Sequence, residues 1–142
     1  IGTRANRYTY RFVFLPGTIG SITWLATAGR DVVRRVRAGL VLSCLGDRGP
    51  MHYKRSRRGD SVVDRVVESV VGVDRCRDFV PYGYDERQYS SPGYDLAGGN
   101  LTRTPNGQYA EYHTSADDRN FIDEGAMGES LATLQRIVER LD

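Results

Sequence analysis

The segment with the most chemical options is Glu111-Tyr112-His113-Thr114-Ser115-Ala116-Asp117-Asp118. An imidazole followed by hydroxyls and carboxylates can ligate a metal through one ring nitrogen while a neighbouring acceptor orients the other. The same residues also make a turn or helix cap in which His113 is hydrogen-bonded for structure, and residue types alone favour that second reading. Tyr84-Asp85-Glu86-Arg87-Gln88-Tyr89-Ser90-Ser91-Pro92-Gly93 is the next candidate. Asp85 and Glu86 beside Arg87 offer a general base, a metal-orienting carboxylate and a fork for a substrate carboxylate. Against that stands a solvated charged loop with a local ion pair worth little. A third segment, Leu15-Pro16-Gly17-Thr18-Ile19-Gly20-Ser21, puts glycines between two apolar patterns, where backbone N–H groups can hold an anion. It matches neither the dinucleotide fingerprint nor the lysine-bearing phosphate loop.

Other residues carry weaker signals. His52 to Arg58 is a short basic run, but no groove-reading helix accompanies it and nucleic acid is not expected as a partner. Cys44, among aliphatic residues, reads as a buried, inert thiol. No Gly-x-Ser-x-Gly elbow is present.

These residues need elements to position them. Aromatics at 8, 10, 12 and 14 alternate, which predicts a strand from Tyr8 to Leu15, ended by Pro16-Gly17. Ile19, Ile22, Leu25 and Ala26 predict a helix over about 18–28 with Gly29 as its stop. The apolar run from Ala38 to Leu45 suits an interior strand covered on both faces. Further strands are expected at 51–55, at 78–80 and around 96–102. Asp60 or Ser61 caps a helix whose valines at 62, 63, 66, 67, 70 and 71 form one stripe, stopped by Gly72. A last helix runs from about Asp123 to Leu141. From Pro81 to Gly107 the chain is rich in Gly, Pro, Tyr, Ser and Asp, a long loop region of the kind that is usually functional or disordered, and its tyrosines argue against disorder. Strands alternating with helices predict an α/β, three-layer sandwich with a mainly parallel (mixed) sheet. Ligand sites in such sheets gather at loops leaving the strands' carboxyl ends, which here are 16–20, 46–50, 82–92 and 111–118.

Composition bounds the rest. The chain has 142 residues, 39% hydrophobic and 27% charged, with a formal net charge of +2, enough for one domain and too balanced to indicate nucleic acid. No apolar run approaches the roughly 20 residues of a membrane helix, so no membrane is expected. Two cysteines make neither a disulfide framework nor a zinc knuckle, and without a leader-like segment the expected location is cytoplasmic.

Taken in order, four segments resemble a bacterial aminopeptidase-like family related to the co-catalytic zinc aminopeptidases, a family often found near polysaccharide or natural-product biosynthesis genes. They are Arg11–Ser21, Gly39–Asp47, Asp85–Gly93 and Glu111–Asp118. The resemblance implies that His113, in its Tyr-His-Thr-x-x-Asp setting, is a late metal ligand, that Asp85 and Glu86 are active-site candidates, and that Asp47 is a second ligand. Asp85 is a third candidate for the metal. Two departures stand out. Pro16-Gly17 replaces the Pro-Glu of many relatives, so the usual base is absent, and the family's first histidine and bridging aspartate would lie upstream of Tyr8. The expectation is therefore a single domain over 1–142 that forms the carboxyl-terminal part of a larger domain, completed by an amino-terminal segment or chain.

The leading expectation is a zinc-dependent aminopeptidase-like hydrolase of an amide or peptide bond. His113, Asp47 and Asp85 would hold zinc, Glu86 would replace the missing base, and Arg87 or Tyr89 would steady a carboxylate or the developing oxyanion. Its partner would be a peptide or an amide-containing small molecule. The alternative is a noncatalytic binding module of the same fold, favoured by Gly17.

Overall fold

The computed structural model describes residues 6–142. Four short strands, β1 (Gly39–Leu42), β2 (His52–Lys54), β3 (Cys76–Arg77) and β4 (Gly98–Thr102), form one sheet in the order β1-β4-β2-β3. β1 is parallel to β4 and β2 to β3, while β2 and β4 meet antiparallel. Five α-helices accompany them: α1 (Ile19–Thr27), α2 (Arg30–Arg35), α3 (Val62–Val71), α4 (Glu86–Tyr89) and α5 (Glu124–Leu141).

One face of the sheet holds the core of Tyr53, Val63, Val67, Leu101 and Ile137, supplied by β2, β4, α3 and α5. Each such burial contributes about 1.5–3 kcal/mol. α3 forms where the valine stripe meets a strong start and stop. The Ser61 hydroxyl accepts from the Asp64 N–H at 3.3 Å, Asp64 accepts from the Ser61 N–H at 2.9 Å, and Gly72 leaves the helix at φ 93. α5 begins at Asp123, whose carboxylate accepts from the Ala126 N–H at 2.8 Å. Gly99 in β4 is required by close approach, since any side chain there would overlap the Tyr53 hydroxyl.

Successive side chains of a strand point to opposite faces, so Lys54 leaves the sheet away from Tyr53. Its ammonium pairs with Glu86 of α4, and Trp24 of α1 meets Tyr89 of α4 edge-on at 6.0 Å. Helices therefore cover both faces, giving the mixed, three-layer α/β architecture the sequence predicts.

Several elements differ from expectation. Tyr8 to Leu15 forms neither helix nor strand, because alternation creates a strand only where a neighbour pairs with it. β1 lies at an edge of the described sheet rather than in its interior, and its Leu42 is 41% exposed. The strand expected at 78–80 lies at Cys76–Arg77, directly after a 3-10 turn over Val73–Arg75. The sequence carries no signal for α4, as four residues are too few to show a helical period.

Candidate functional site

The loops leaving β1 and β4 and the amino-terminal turn of α1 lie along one rim. At that turn Thr18 adopts φ 60, a conformation that L side chains rarely take. Asp85 stabilises it. The Thr18 N–H donates to Asp85 Oδ1 at 2.5 Å, and the Ser21 hydroxyl donates to the same oxygen at 3.1 Å. Asp85 is buried, so this contact joins two segments that the sequence separates by more than sixty residues. The Tyr84 ring lies over Gly17, and a Cβ at that position would overlap its hydroxyl. Burial raises the Tyr84 pKa, with Asp85 and Cys44 adding to the effect.

Asp47 binds two rim loops together. Its Oδ1 accepts from the Gly49 N–H at 2.7 Å and the Thr104 hydroxyl at 2.6 Å, and its Oδ2 accepts from the Thr104 N–H at 3.1 Å. Beside it Arg103 is buried and donates to the Gly49 carbonyl at 2.6 Å, the Ala126 carbonyl at 2.8 Å and the Ser130 hydroxyl at 2.9 Å. It also pairs with Glu129 at 2.8 Å. Sequence reasoning missed Arg103, because an arginine one residue past a strand carries no signal of its own.

His113 stands on the loop after β4, exposed and at φ 59, with its ring stacked on Tyr112 at 3.9 Å. Tyr109 meets Tyr112 at 5.4 Å and stacks on Phe121 at 5.1 Å. Its hydroxyl lies 3.5 Å from Cys44 Sγ and 3.4 Å from Asp117. Burial raises the Tyr112 pKa, followed by the nearby Cys44, Tyr82 and Tyr84, so this loop and Tyr84 share one neighbourhood. Cys44 is not the enclosed mid-strand thiol expected. It sits past the end of β1, half-buried, at φ 48.

Glu86 points inward. It is fully buried, its Oε1 pairs with Lys54 and accepts from the Tyr84 N–H at 3.1 Å, and its Oε2 has no hydrogen-bond partner among the described residues. Arg87 buries its Nε without a hydrogen-bond partner among the described residues. Tyr89 packs on Trp24, and its pKa is raised by burial and by Asp85. The basic run at 52–58 is largely neutralised within the fold. Lys54 meets Glu86, Arg55 meets Glu68 and Asp78, and the Arg57 guanidinium donates to the Ser90 carbonyl at 3.3 Å.

The structure thus brings Tyr84 and Asp85 onto the 16–21 turn and Tyr109 onto Cys44. It does not bring His113, Asp47 and Asp85 into one donor set. No group of three or more His, Cys, Asp or Glu side chains among the described residues is arranged to hold a metal ion. Asp47 already accepts from three donor groups and Asp85 from two, so these residues do not by themselves fit a catalytic zinc, which wants about three protein ligands. No helix among the described residues is long and apolar enough to cross a membrane.

This architecture is that of a peptidase-like α/β domain. The chain belongs to the DUF4910 family, a domain of unknown function whose model matches residues 1–142. It is 41% identical over 141 residues to a Clostridium acetobutylicum protein provisionally named a polysaccharide biosynthesis protein with an aminopeptidase-like domain, covering 96% of this chain and 32% of that protein. A crystal structure of a provisionally named peptidase from Clostridium acetobutylicum superposes with a TM-score of 0.89 at 39% identity, covering 97% of this chain and 33% of that one. The zinc aminopeptidase BSAP from Bacillus subtilis has the same fold, with a TM-score of 0.64 at 15% identity over 87% of this chain and 32% of its own. The chain spans about a third of the length of these relatives.

Proposed function

We propose that this chain is part of an aminopeptidase-like hydrolase that cleaves an amide or peptide bond in a peptide or amide-containing small molecule. The observation that supports it best is Asp85 holding the 16–21 turn at a rim shared with Tyr84, Tyr112 and Cys44, in a fold shared with named peptidases. The chain's own part is positional. Asp85 sets the turn, Tyr84 presents a hydroxyl over Gly17, and Asp47 with Thr104 sets the root of the loop that carries His113. Zinc belongs to this reading as an ion that takes donors beyond those assembled here, with His113 the available imidazole. A cytoplasmic location is part of the same proposal, and both cysteines are free thiols.

The test uses the full-length protein. Zinc content and hydrolysis of aminoacyl amides are measured for wild type and His113→Ala. The expected result is stoichiometric zinc in wild type and a loss of turnover in the variant beyond the roughly 10–100-fold that removing a ligand's outer partner costs. Zinc-free protein with unchanged turnover in the variant would overturn the reading.

A second reading, a noncatalytic amide-binding module, is favoured by one observation: the Tyr84 hydroxyl fills the space beside Gly17, where the family resemblance calls for a carboxylate. Ligand binding that survives chelation, with no amide turned over, selects it.

A further inference from the structure

Asp85 and Glu86 follow one another in the chain and are held from opposite sides. Asp85 reaches forward to the Thr18 N–H and the Ser21 hydroxyl at the rim. Glu86 reaches back to Lys54, whose place in β2 is fixed by register with Arg77 of β3 and Asn100 of β4. The Lys54 ammonium has three N–H groups, and the segment from Val80 to Glu86 supplies an acceptor for each. These are the Tyr82 carbonyl at 2.7 Å, the Val80 carbonyl at 3.4 Å and Glu86 Oε1. The Phe79 ring centroid lies 5.7 Å from the same nitrogen. Glu86 Oε1 also accepts from the Tyr84 N–H at 3.1 Å. Gly83, at φ 149, closes the wrap, because a Cβ there would overlap both Lys54 Nζ and Glu86 Oε1.

We propose that Lys54 and Glu86 are positioning residues: they clamp residues 79–86 so that Tyr84 and Asp85 meet the 16–21 turn in one geometry. Three observations carry this. The acceptors that one cation gathers flank Tyr84 on both sides, so the clamp fixes the segment before and after it. The chain has twenty lysines and arginines, and Lys54 is the only lysine. A compact ammonium sends three donors from one atom, which the flat fork of a guanidinium cannot do. Finally, Glu86 is fully buried, and its Oε2 has no hydrogen-bond partner among the described residues. A buried pair with an orphaned oxygen is a poor source of stability, so what it contributes is the placement it imposes. Groups that act at a site are held this way, by supports anchored in rigid elements behind them.

The role in turnover rests on the hydrolytic reading, whereas the clamp itself rests on geometry, and the experiment separates the two. In the full-length protein, amide hydrolysis, urea stability and exchange of the Thr18 amide are measured for three variants. They are the double variant Lys54→Met/Glu86→Gln, Gly83→Ala and, as a control on the other side of β2, Asp64→Asn. The double variant has no buried charge, but nothing replaces the donors to Val80 and Tyr82. It should fold stably and still lose about 10–100-fold in kcat, more than KM rises, because small misplacements of positioning groups cost that much. Thr18 exchange should rise by at least about 10-fold, as its bond to Asp85 opens locally. Gly83→Ala keeps both charges and displaces the loop, so it should move both readouts in the same direction. Asp64→Asn should lose stability and move neither.

A stable double variant with wild-type kcat or wild-type Thr18 exchange would overturn the proposal, since the pair would then serve stability alone. The same follows if Asp64→Asn moves both readouts as far as the double variant does, because both would then track global stability. Should the double variant fail to fold, Gly83→Ala decides by the same two readouts. If the wild type hydrolyses no amide, the hydrolytic reading falls and Thr18 exchange alone judges the clamp: a rise in the double variant supports it, and no rise overturns it.

Discussion

Asp64 and Glu86 are both fully buried carboxylates, placed on opposite sides of β2, and the fold satisfies them in opposite ways. Asp64 pairs with no cation among the described residues. Its Oδ1 accepts from the Tyr53 hydroxyl at 2.8 Å and the Ser56 N–H at 2.7 Å. Its Oδ2 accepts from the Ser56 hydroxyl at 2.5 Å, the Ser61 N–H at 2.9 Å and the Ser61 hydroxyl at 2.5 Å. Burial pushes its pKa up, but these bonds outweigh burial and hold it below the ordinary 3.8. Glu86 instead has a cation on one oxygen and, among the described residues, no partner on the other. A network of five short-range donors can be built into a helix cap, whereas a pair such as Lys54–Glu86 depends on two distant segments meeting. The first region is a structural cap closed upon itself. The second lies directly behind the rim that carries Tyr84 and Asp85.

The sharpest way to break this contrast is Lys54→Met. Glu86 would then be a buried charge with one remaining donor, and losing a partner of a buried pair costs about 3–5 kcal/mol. Lys54 also donates to the Tyr82 carbonyl at 2.7 Å, so the loop ahead of α4 loosens as well. Adding Glu86→Gln should restore more than half of the loss, because the charge is then gone. Urea unfolding of the wild type, both single variants and the double variant checks it. Additive single effects would show that the two groups are not coupled.

Asp64→Asn is the next largest, at about 2–3 kcal/mol, since the side-chain amide cannot accept from donors on both of its arms. Its dependence on pH follows from the sign of the shift. A carboxyl whose folded pKa is depressed adds stability above its unfolded value of about 3.9, and that stability is lost as pH falls through the folded value. The gap between wild type and variant should therefore be constant near neutrality and shrink below the ordinary 3.8. A gap that persists unchanged into acid would mean that Asp64 is not held ionised by its donors.

The same contrast explains what could be read in advance. α3 was legible because its signals are local: a valine stripe, Ser61 three residues before Asp64, and Gly72 at the end. α5 was legible for the same reason, with Asp123 as its cap. Tyr8 to Leu15 misled because alternation reports which faces are apolar and not whether a neighbouring strand is present. At the rim, Asp85 meets the 16–21 turn, a contact between segments far apart in the sequence. The residues cannot reveal that Asp47 is committed to Thr104 or that Glu86 turns inward to Lys54, because those fates depend on contacts between distant segments. An aspartate two residues before Gly-Pro and an acidic pair before an arginine read equally well as ligands or as structural acceptors until the partners are in place.

The smallest effect probes how far the Asp64 network can spare a member. Tyr53→Phe keeps the buried ring, which fills the core against Val63, Val67 and Leu101, and removes only the hydroxyl. Four donors remain on Asp64, so no acceptor is left bare and the expected cost is about 1 kcal/mol, that of one net hydrogen bond. The Tyr53 hydroxyl is itself locked as a donor, because burial and then the Asp64 charge raise its pKa far beyond the ordinary phenol range, so it contributes the same bond throughout neutral pH. Loss of that bond should move the Asp64 protonation midpoint upward, narrowing the pH window of the previous prediction from its acid side, and carboxyl NMR titration of wild type and variant checks the shift. A cost of several kcal/mol would show that the five donors act as one cooperative unit. In that case the cap over α3 would be as brittle as the Lys54–Glu86 pair across the sheet.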